Sequence, residues 1–280
     1  PSFFLDFRLV INWNTIRKKE LNMDFVGNLF DIRDKVAIIT GGGGLLCGTM
    51  AQALGRAGAK VVVVDIRLNK AKAIADQVNA ENGNAVAMEA DVTQKSQFQN
   101  ITNLAIEKHG RIDILINGAG INAPTPLLDI EEEEFGQIIK SHLQSTLFGC
   151  QTVGKVMLNQ KSGSIINISS ASANPPLSKA FTYSAAKAAV KNLTQNIARE
   201  WGTTGVRVNA IRPGFFPTEW SRKNFISAER ENAILGHTPM KRYGEAKELV
   251  GAIIWLSSDA SSFVTGSEVA IDGGFSSMTI

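Results

Sequence analysis

From Lys35 onward, short runs of β-branched and other apolar residues alternate with longer stretches in which apolar positions return every three or four residues. The runs are "KVAIIT", "KVVVVD", "AVAMEADV", "IDILINGAG", "GSIINISS", "VRVNAIRPG" and "EVAIDGG". Between the first four lie "GTMAQALGRAG", "KAKAIADQVNAEN" and "QFQNITNLAIEKHG". A continuously apolar strand is one buried on both faces, and amphipathic helices between such strands supply the cover. The pattern predicts an α/β fold, a doubly wound parallel sheet of the Rossmann type. No repeat, low-complexity tract or linker rich in Pro, Gly and Ser interrupts it, so residues 23–280 are expected to form a single domain.

The 280 residues are 44% hydrophobic, enough to bury one sizeable core. Net charge is only +3, from 29 basic and 26 acidic residues scattered along the chain, which argues against nucleic-acid or membrane partners and for a small molecule. Cys47 and Cys150, the only cysteines, have no metal-ligand spacing and lie in apolar segments, as reduced thiols of a cytoplasmic protein would; no metal site is expected. Residues 1–22 differ in character. Their apolar part is interrupted by Asp6 and Arg8, and basic residues follow it, which fits neither a signal peptide nor a membrane span. They read as a non-native or upstream-translated leader, with Lys19-Glu20 encoded by a ribosome-binding sequence ahead of a start at Met23; an N-terminal arm packing on another subunit is the alternative.

"VAIIT" runs into Gly41–Gly44 and then into a helix, so backbone N–H groups of the turn and the helix N-terminus can face a pyrophosphate. An ordinary tight turn would look the same. Asp65, ending "VVVVD", adds a carboxylate where the adenosine ribose hydroxyls of a dinucleotide would lie, and a carboxylate there repels a 2′-phosphate. NAD is therefore expected over NADP, with Arg67 softening the preference. Tyr183 and Lys187 in "TYSAAKAAV" stand at i and i+4 on one helix face. Alone, such a pair is usually surface decoration. Ser170, the second serine of "NISS", stands thirteen residues ahead of the tyrosine.

With these features the chain resembles the short-chain dehydrogenase/reductase family over about Leu29 to Ile280. Thr40 and Gly41 match the start of that family's T-G-x-x-x-G-x-G motif, but Leu45 and Cys47 replace its later glycines. The resemblance implies a pyrophosphate loop of Gly41, Gly43, Gly44 and Leu46, with Ile66 beside Asp65 and Asp91-Val92 flanking the adenine. It also makes "NGAG", with Asn117, Ala119 and Gly120, the segment that supports the sheet beside the cofactor. "PGFFPT" would offer Pro213, Gly214, the backbone of Phe216 and the hydroxyl of Thr218 to the nicotinamide carboxamide. Ser170, Tyr183 and Lys187 would be catalytic, and the likeness further implies a homotetramer. His142 stands where the family uses an asparagine that bends a helix and anchors a water; a neutral imidazole can also hold a water and pass a proton.

These residue types suit alcohol–ketone interconversion, which needs one group to exchange a proton as hydride moves. A phenol starts at a pKa of about 10, and an adjacent ammonium that lowered it by roughly two units would supply about 2.7 kcal/mol. Ser170 would hold the substrate oxygen, and Lys187 the nicotinamide ribose. A substrate lid is expected near residues 215–240, where Arg222 and Lys223 are candidates to pair with a carboxylate or simply form a solvated surface. "TGGGGLLCG", "PGFFPTEWSRK", "GHTPMKRYGE" and "IDGGFSSMTI" are more narrowly similar to the D-mannonate oxidoreductase/fructuronate reductase branch, implying a sugar-acid substrate. A gluconate 5-dehydrogenase type of sugar or polyol enzyme, a 3-oxoacyl carrier-protein reductase and a non-catalytic NAD-sensing protein are the alternatives.

Overall fold

The computed structural model describes residues 23–174 and 177–278. The leader expected at residues 1–22 lies outside them. After the short helix α1 (Met23–Leu29), the chain lays down β1 (Val36–Thr40), α2 (Leu45–Arg56), β2 (Lys60–Asp65), α3 (Leu68–Ala80), β3 (Asn84–Glu89), α4 (Lys95–His109) and β4 (Ile114–Asn117). The second half comprises α5 (Glu132–Ile139), α6 (Ser145–Gln160), β5 (Gly163–Ile168), α7 (Phe181–Trp201), β6 (Val206–Pro213), α8 (Glu219–Asn224), α9 (Ala228–His237), α10 (Val250–Ser257) and β7 (Glu268–Ile271). All seven apolar runs are strands, in one parallel sheet of order β3-β2-β1-β4-β5-β6-β7.

Side chains alternate across the pleat, so each central strand feeds two cores. Ala37, Ile39, Val61, Val63 and Ile116 pack on one face with residues of α2, α3 and α10. Val36, Ile38, Val62, Val64 and Leu115 pack on the other with residues of α4, α6 and α7. A fully buried Val or Ile contributes about 1.5–3 kcal/mol, which explains why these strands are apolar throughout.

Strand order reverses between β1 and β4, and the crevice beyond the C-terminal ends of such strands is where an open α/β sheet takes its ligand. Thr40 pins that crevice: its Oγ1 accepts from the N–H groups of Gly118 at 3.0 Å and Ala119 at 3.3 Å. Between α5 and α6 the helix makes one π turn, Lys140–Gln144. Ser145 Oγ and Thr146 Oγ1 both donate to the His142 carbonyl, which also accepts the Ser145 N–H.

Candidate active site

On the β1–β2 side, recognition groups come mainly from the backbone. Gly41 holds φ +68°, and a Cβ there would lie 2.9 Å from Ala119 Cα, so a larger residue would wedge the crevice open. Gly44 caps α2 with no side-chain hydrogen bond, leaving the first amides of the helix to face an anion. The departures from the family motif are absorbed locally: Leu45 already begins α2 with its side chain exposed, while Cys47 turns inward against Gly118. Gly43 donates to Asp65 Oδ2 at 3.1 Å, and Arg67 N–H donates to Oδ1 at 3.0 Å. Ile66 is exposed beside it. The Asp91 carboxylate is engaged in a turn with Thr93, accepting its N–H at 2.9 Å and hydroxyl at 2.7 Å, with Val92 buried behind.

On the β4–β5 side, Asn117 is buried and braces the sheet: its Nδ2 donates to Asn167 Oδ1 at 2.9 Å, and Asn167 in turn donates to Thr194. Gly120 makes room for an imidazole, since a Cβ there would lie 1.8 Å from His142 Cε1. His142 Nε2 lies 2.7 Å from the Ile121 carbonyl. A carbonyl only accepts, so Nε2 carries the hydrogen and Nδ1 presents a lone pair. That buried Nδ1 has no partner. Burial and the nearby Lys187 hold the imidazole well below its ordinary pKa of 6.5, hence neutral.

The ring of His142 meets Tyr183 edge to face at 5.1 Å between centroids. Tyr183, on the first turn of α7, shares a cavity wall with Ser170, and burial pushes its phenol above 10. Lys187, 4% exposed, donates to the Ile168 carbonyl at 2.6 Å, and its Nζ stands 5.7 Å from the Tyr183 ring centroid. Burial pulls its ammonium down to about 8. Lys187 was expected to depress the phenol; in this geometry desolvation raises it, and the opposing influence comes from Ser170, not from Lys187. Ser170 also accepts from the Ser172 N–H at 3.2 Å. Just before it, Ser169 donates to Glu268 Oε1 at 2.6 Å, and Arg212 donates to Glu268 Oε2 at 3.0 Å, tying the end of β5 to β6 and β7.

Ser170 and Tyr183 open into a cavity of about 260 Å³, whose wall also includes Leu46, Pro213, Gly214 and Phe216. Gly214 lies against Asp272, and Gly244 leaves space for the Phe216 ring. Thr218 starts α8: its Oγ1 accepts from Ser221 N–H at 3.1 Å, and the pair forms a capping box that leaves the hydroxyl hydrogen free to donate. Arg222 is not at the cavity; it stacks on Tyr243 at 5.4 Å from the ring centroid. Lys223 lines a separate outer cavity.

The residue missed by sequence reasoning is Arg230 of α9, which lines the inner wall along with Ile226 and Ile234. The i, i+4 spacing of Arg230 and Ile234 on α9 was the available signal, but it does not say what the face looks onto. Among the described residues no group of three or more His, Cys, Asp or Glu side chains could hold a metal, no helix is long and apolar enough to cross a membrane, and both cysteines are free and buried.

Residues 46–276 match the family model described as enoyl-(acyl carrier protein) reductase. The chain belongs to the short-chain dehydrogenase/reductase family. Its relatives include an uncharacterised oxidoreductase, UxuB, of Bacillus subtilis, 37% identical over 266 residues, covering 88% of this chain and 96% of that protein. The 2-dehydro-3-deoxy-D-gluconate 5-dehydrogenase of Formosa agariphila is 36% identical over 249 residues, covering 88% and 94%. Among solved structures, a gluconate 5-dehydrogenase from Burkholderia cenocepacia in complex with NADP and tartrate superposes with a TM-score of 0.87 at 32% identity, covering 91% of this chain and all of that one. This short-chain dehydrogenase/reductase is thus an oxidoreductase acting on CH–OH groups, as its named relatives are.

Proposed function

We propose that the enzyme interconverts a secondary alcohol and a ketone on a sugar acid of the gluconate type, using NAD in preference to NADP. The observation that carries this is that Ser170 and Tyr183 line one cavity with the buried Lys187 against the tyrosine ring, while the glycine turn after β1 is tied through Gly43 to Asp65. The uncapped start of α2, the positive φ of Gly41 and the ribose-side carboxylate fit a dinucleotide. Gly41, Gly43, Gly44 and Leu46 would hold its pyrophosphate, Asp65 and Ile66 its adenosine, and Lys187, Pro213, Gly214 and Phe216 its nicotinamide end. Bound there, the nicotinamide supplies the hydride donor or acceptor.

In the reductive direction Ser170 and Tyr183 donate hydrogen bonds to the ketone oxygen, and the Tyr183 phenol releases its proton to that oxygen. A phenol pushed above 10 rests protonated, so the site is set as a proton donor at neutral pH. The ammonium of Lys187, still charged below about 8, stabilises the phenolate that remains. Oxidation runs the same steps in reverse, with Tyr183 taking the hydroxyl proton, and is favoured by alkaline solution. The relatives support a gluconate or deoxygluconate substrate more than the D-mannonate/D-fructuronate pair that the local motifs suggest. Assembly as a homotetramer belongs to the same proposal: Phe181 at the start of α7 and Phe263 near β7 are exposed apolar side chains on the two segments expected at subunit interfaces, and light scattering reads the mass.

The deciding experiment measures oxidation of NADH and of NADPH against keto-gluconates, keto-uronates and 3-oxoacyl thioesters. Turnover of a keto sugar acid with NADH is expected. Turnover confined to thioesters gives the site to acyl chains, and tight NAD binding with no turnover of any ketone gives it to a sensor.

A further inference from the structure

Two cavities flank the lid helix α9. The inner one holds Ser170 and Tyr183; the outer one, about 580 Å³, is walled by Ser178, Lys179, Lys223 and Glu229. Phe225, Ile226 and Arg230 line both. Of the described residues on the inner wall, Arg230 alone is charged. Its guanidinium is held across the gap between lid and loop: Nη1 donates to Ser178 Oγ at 2.7 Å and Nη2 to the Ser178 carbonyl at 3.0 Å. Both acceptors are neutral, and among the described residues no carboxylate forms an ion pair with the guanidinium. A guanidinium has five N–H donors, and three remain, enough for a two-pronged grip on a carboxylate. Leu177, Phe225 and Ile234 line the same wall, so an uncharged partner in that position gains little from the guanidinium.

We infer that Arg230 recognises the substrate's carboxylate, and that Lys179 and Lys223 in the outer cavity draw the anion toward it. The ligand class is an aldonate, keto-aldonate or uronate whose carboxylate reaches Arg230 while a secondary hydroxyl or ketone lies at Tyr183. This inference rests on the sugar-acid reading above. It moves the carboxylate partner from Arg222, which is occupied on Tyr243, to a residue one helix further on.

The test compares keto sugar acids with uncharged ketoses and polyols of equal length, in the wild type and in Arg230→Met, Arg230→Lys and Ser178→Ala. Arg230→Met should lower kcat/KM for acids thirtyfold or more, chiefly through KM, while uncharged substrates change less than about threefold. Arg230→Lys, which keeps the charge but loses the fork, should fall between. Ser178→Ala removes one of the two latch contacts and keeps the guanidinium, so it should retain the preference for acids. Equal losses on both substrate classes, no loss on acids, or a Ser178→Ala variant as impaired as Arg230→Met would overturn the inference and leave the sugar-acid reading standing. A wild type that turns over only uncharged substrates or thioesters, or nothing in the panel, overturns that reading and this one together. Melting temperature and NADH binding of each variant separate misfolding from lost recognition.

Discussion

On the β1 and β2 side of the crevice the groups at the proposed cofactor position are backbone amides and one carboxylate; on the β5 and α7 side they are side chains, of which His142 and Lys187 are buried. Amides of Gly43 and Arg67 fix both oxygens of Asp65, and the uncapped start of α2 adds more donors. Across the crevice, desolvation displaces Tyr183 upward and His142 and Lys187 downward. Backbone dipoles cannot titrate, so the amides on the first side act with the same strength over a wide pH range. The second can exchange protons, at the cost of burying groups that water would rather hold. Breaking one group on each side should therefore give different signatures.

The largest effect is expected at Tyr183. Replacing it with Phe keeps the ring against His142 but deletes the hydroxyl, so turnover of any responsive ketone should fall a hundredfold or more while NADH affinity and melting temperature stay near wild type. Retention of more than about a tenth of the rate would remove Tyr183 from the proton transfer. On the opposite side, Asp65→Ser should leave the chemical step intact and change only cofactor choice. It removes the repulsion of a 2′-phosphate and releases the Arg67 side chain, whose Nε now lies 3.4 Å from the carboxylate. The ratio of kcat/KM for NADPH to that for NADH should rise tenfold or more; an unchanged ratio in steady-state assays would exclude Asp65 from the ribose site.

The two sides also differ in how well the sequence discloses them. The central strands were visible because both of their faces are buried, and Tyr183 and Lys187 were visible because helical spacing fixes their shared face. The glycine turn was legible only as a type: which glycine needs its φ, and that Leu45 and Cys47 replace two motif glycines by pointing in opposite directions, depends on contacts with β4. The lid was least legible. Thr218, Arg222 and Arg230 are all polar residues in one stretch, and only the packing of α8 and α9 assigns the first to a cap, the second to a tyrosine ring and the third to the cavity wall.

Lys187 sharpens the comparison through stability. Its ammonium loses its proton near 8 in the folded chain but near 10.4 when unfolded, so the unfolded state binds more protons between those values and stability rises with pH across that window. Below about pH 8 the fold bears the full burden of the buried charge, on the order of 3 kcal/mol. Lys187→Met, which removes that charge, should abolish most activity yet melt no lower than wild type at pH 7. Its advantage should shrink as pH approaches 10. A variant that melts well below wild type at pH 7 would mean that the hydrogen bond to the Ile168 carbonyl matters more than desolvation.

The smallest effect is expected at His142. Its folded pKa lies well below 6.5, so as pH falls through 6.5 the unfolded chain takes up a proton that the native imidazole refuses, and stability drops by up to about 1.4 kcal/mol per pH unit. His142→Asn removes that loss: the variant's melting temperature should gain on wild type between pH 7 and pH 5. At pH 7 it should be slightly lower, by the roughly 0.5–1.5 kcal/mol of an aromatic contact with Tyr183. Turnover should stay within about tenfold. An amide still offers a donor to the Ile121 carbonyl, and its oxygen replaces the unpartnered Nδ1 lone pair as an acceptor in the same pocket. His142→Leu keeps the volume but removes both functions, so comparing the two variants separates packing from proton handling. If leucine matches asparagine in rate and in pH profile, the imidazole serves only to wedge the π turn against Gly120.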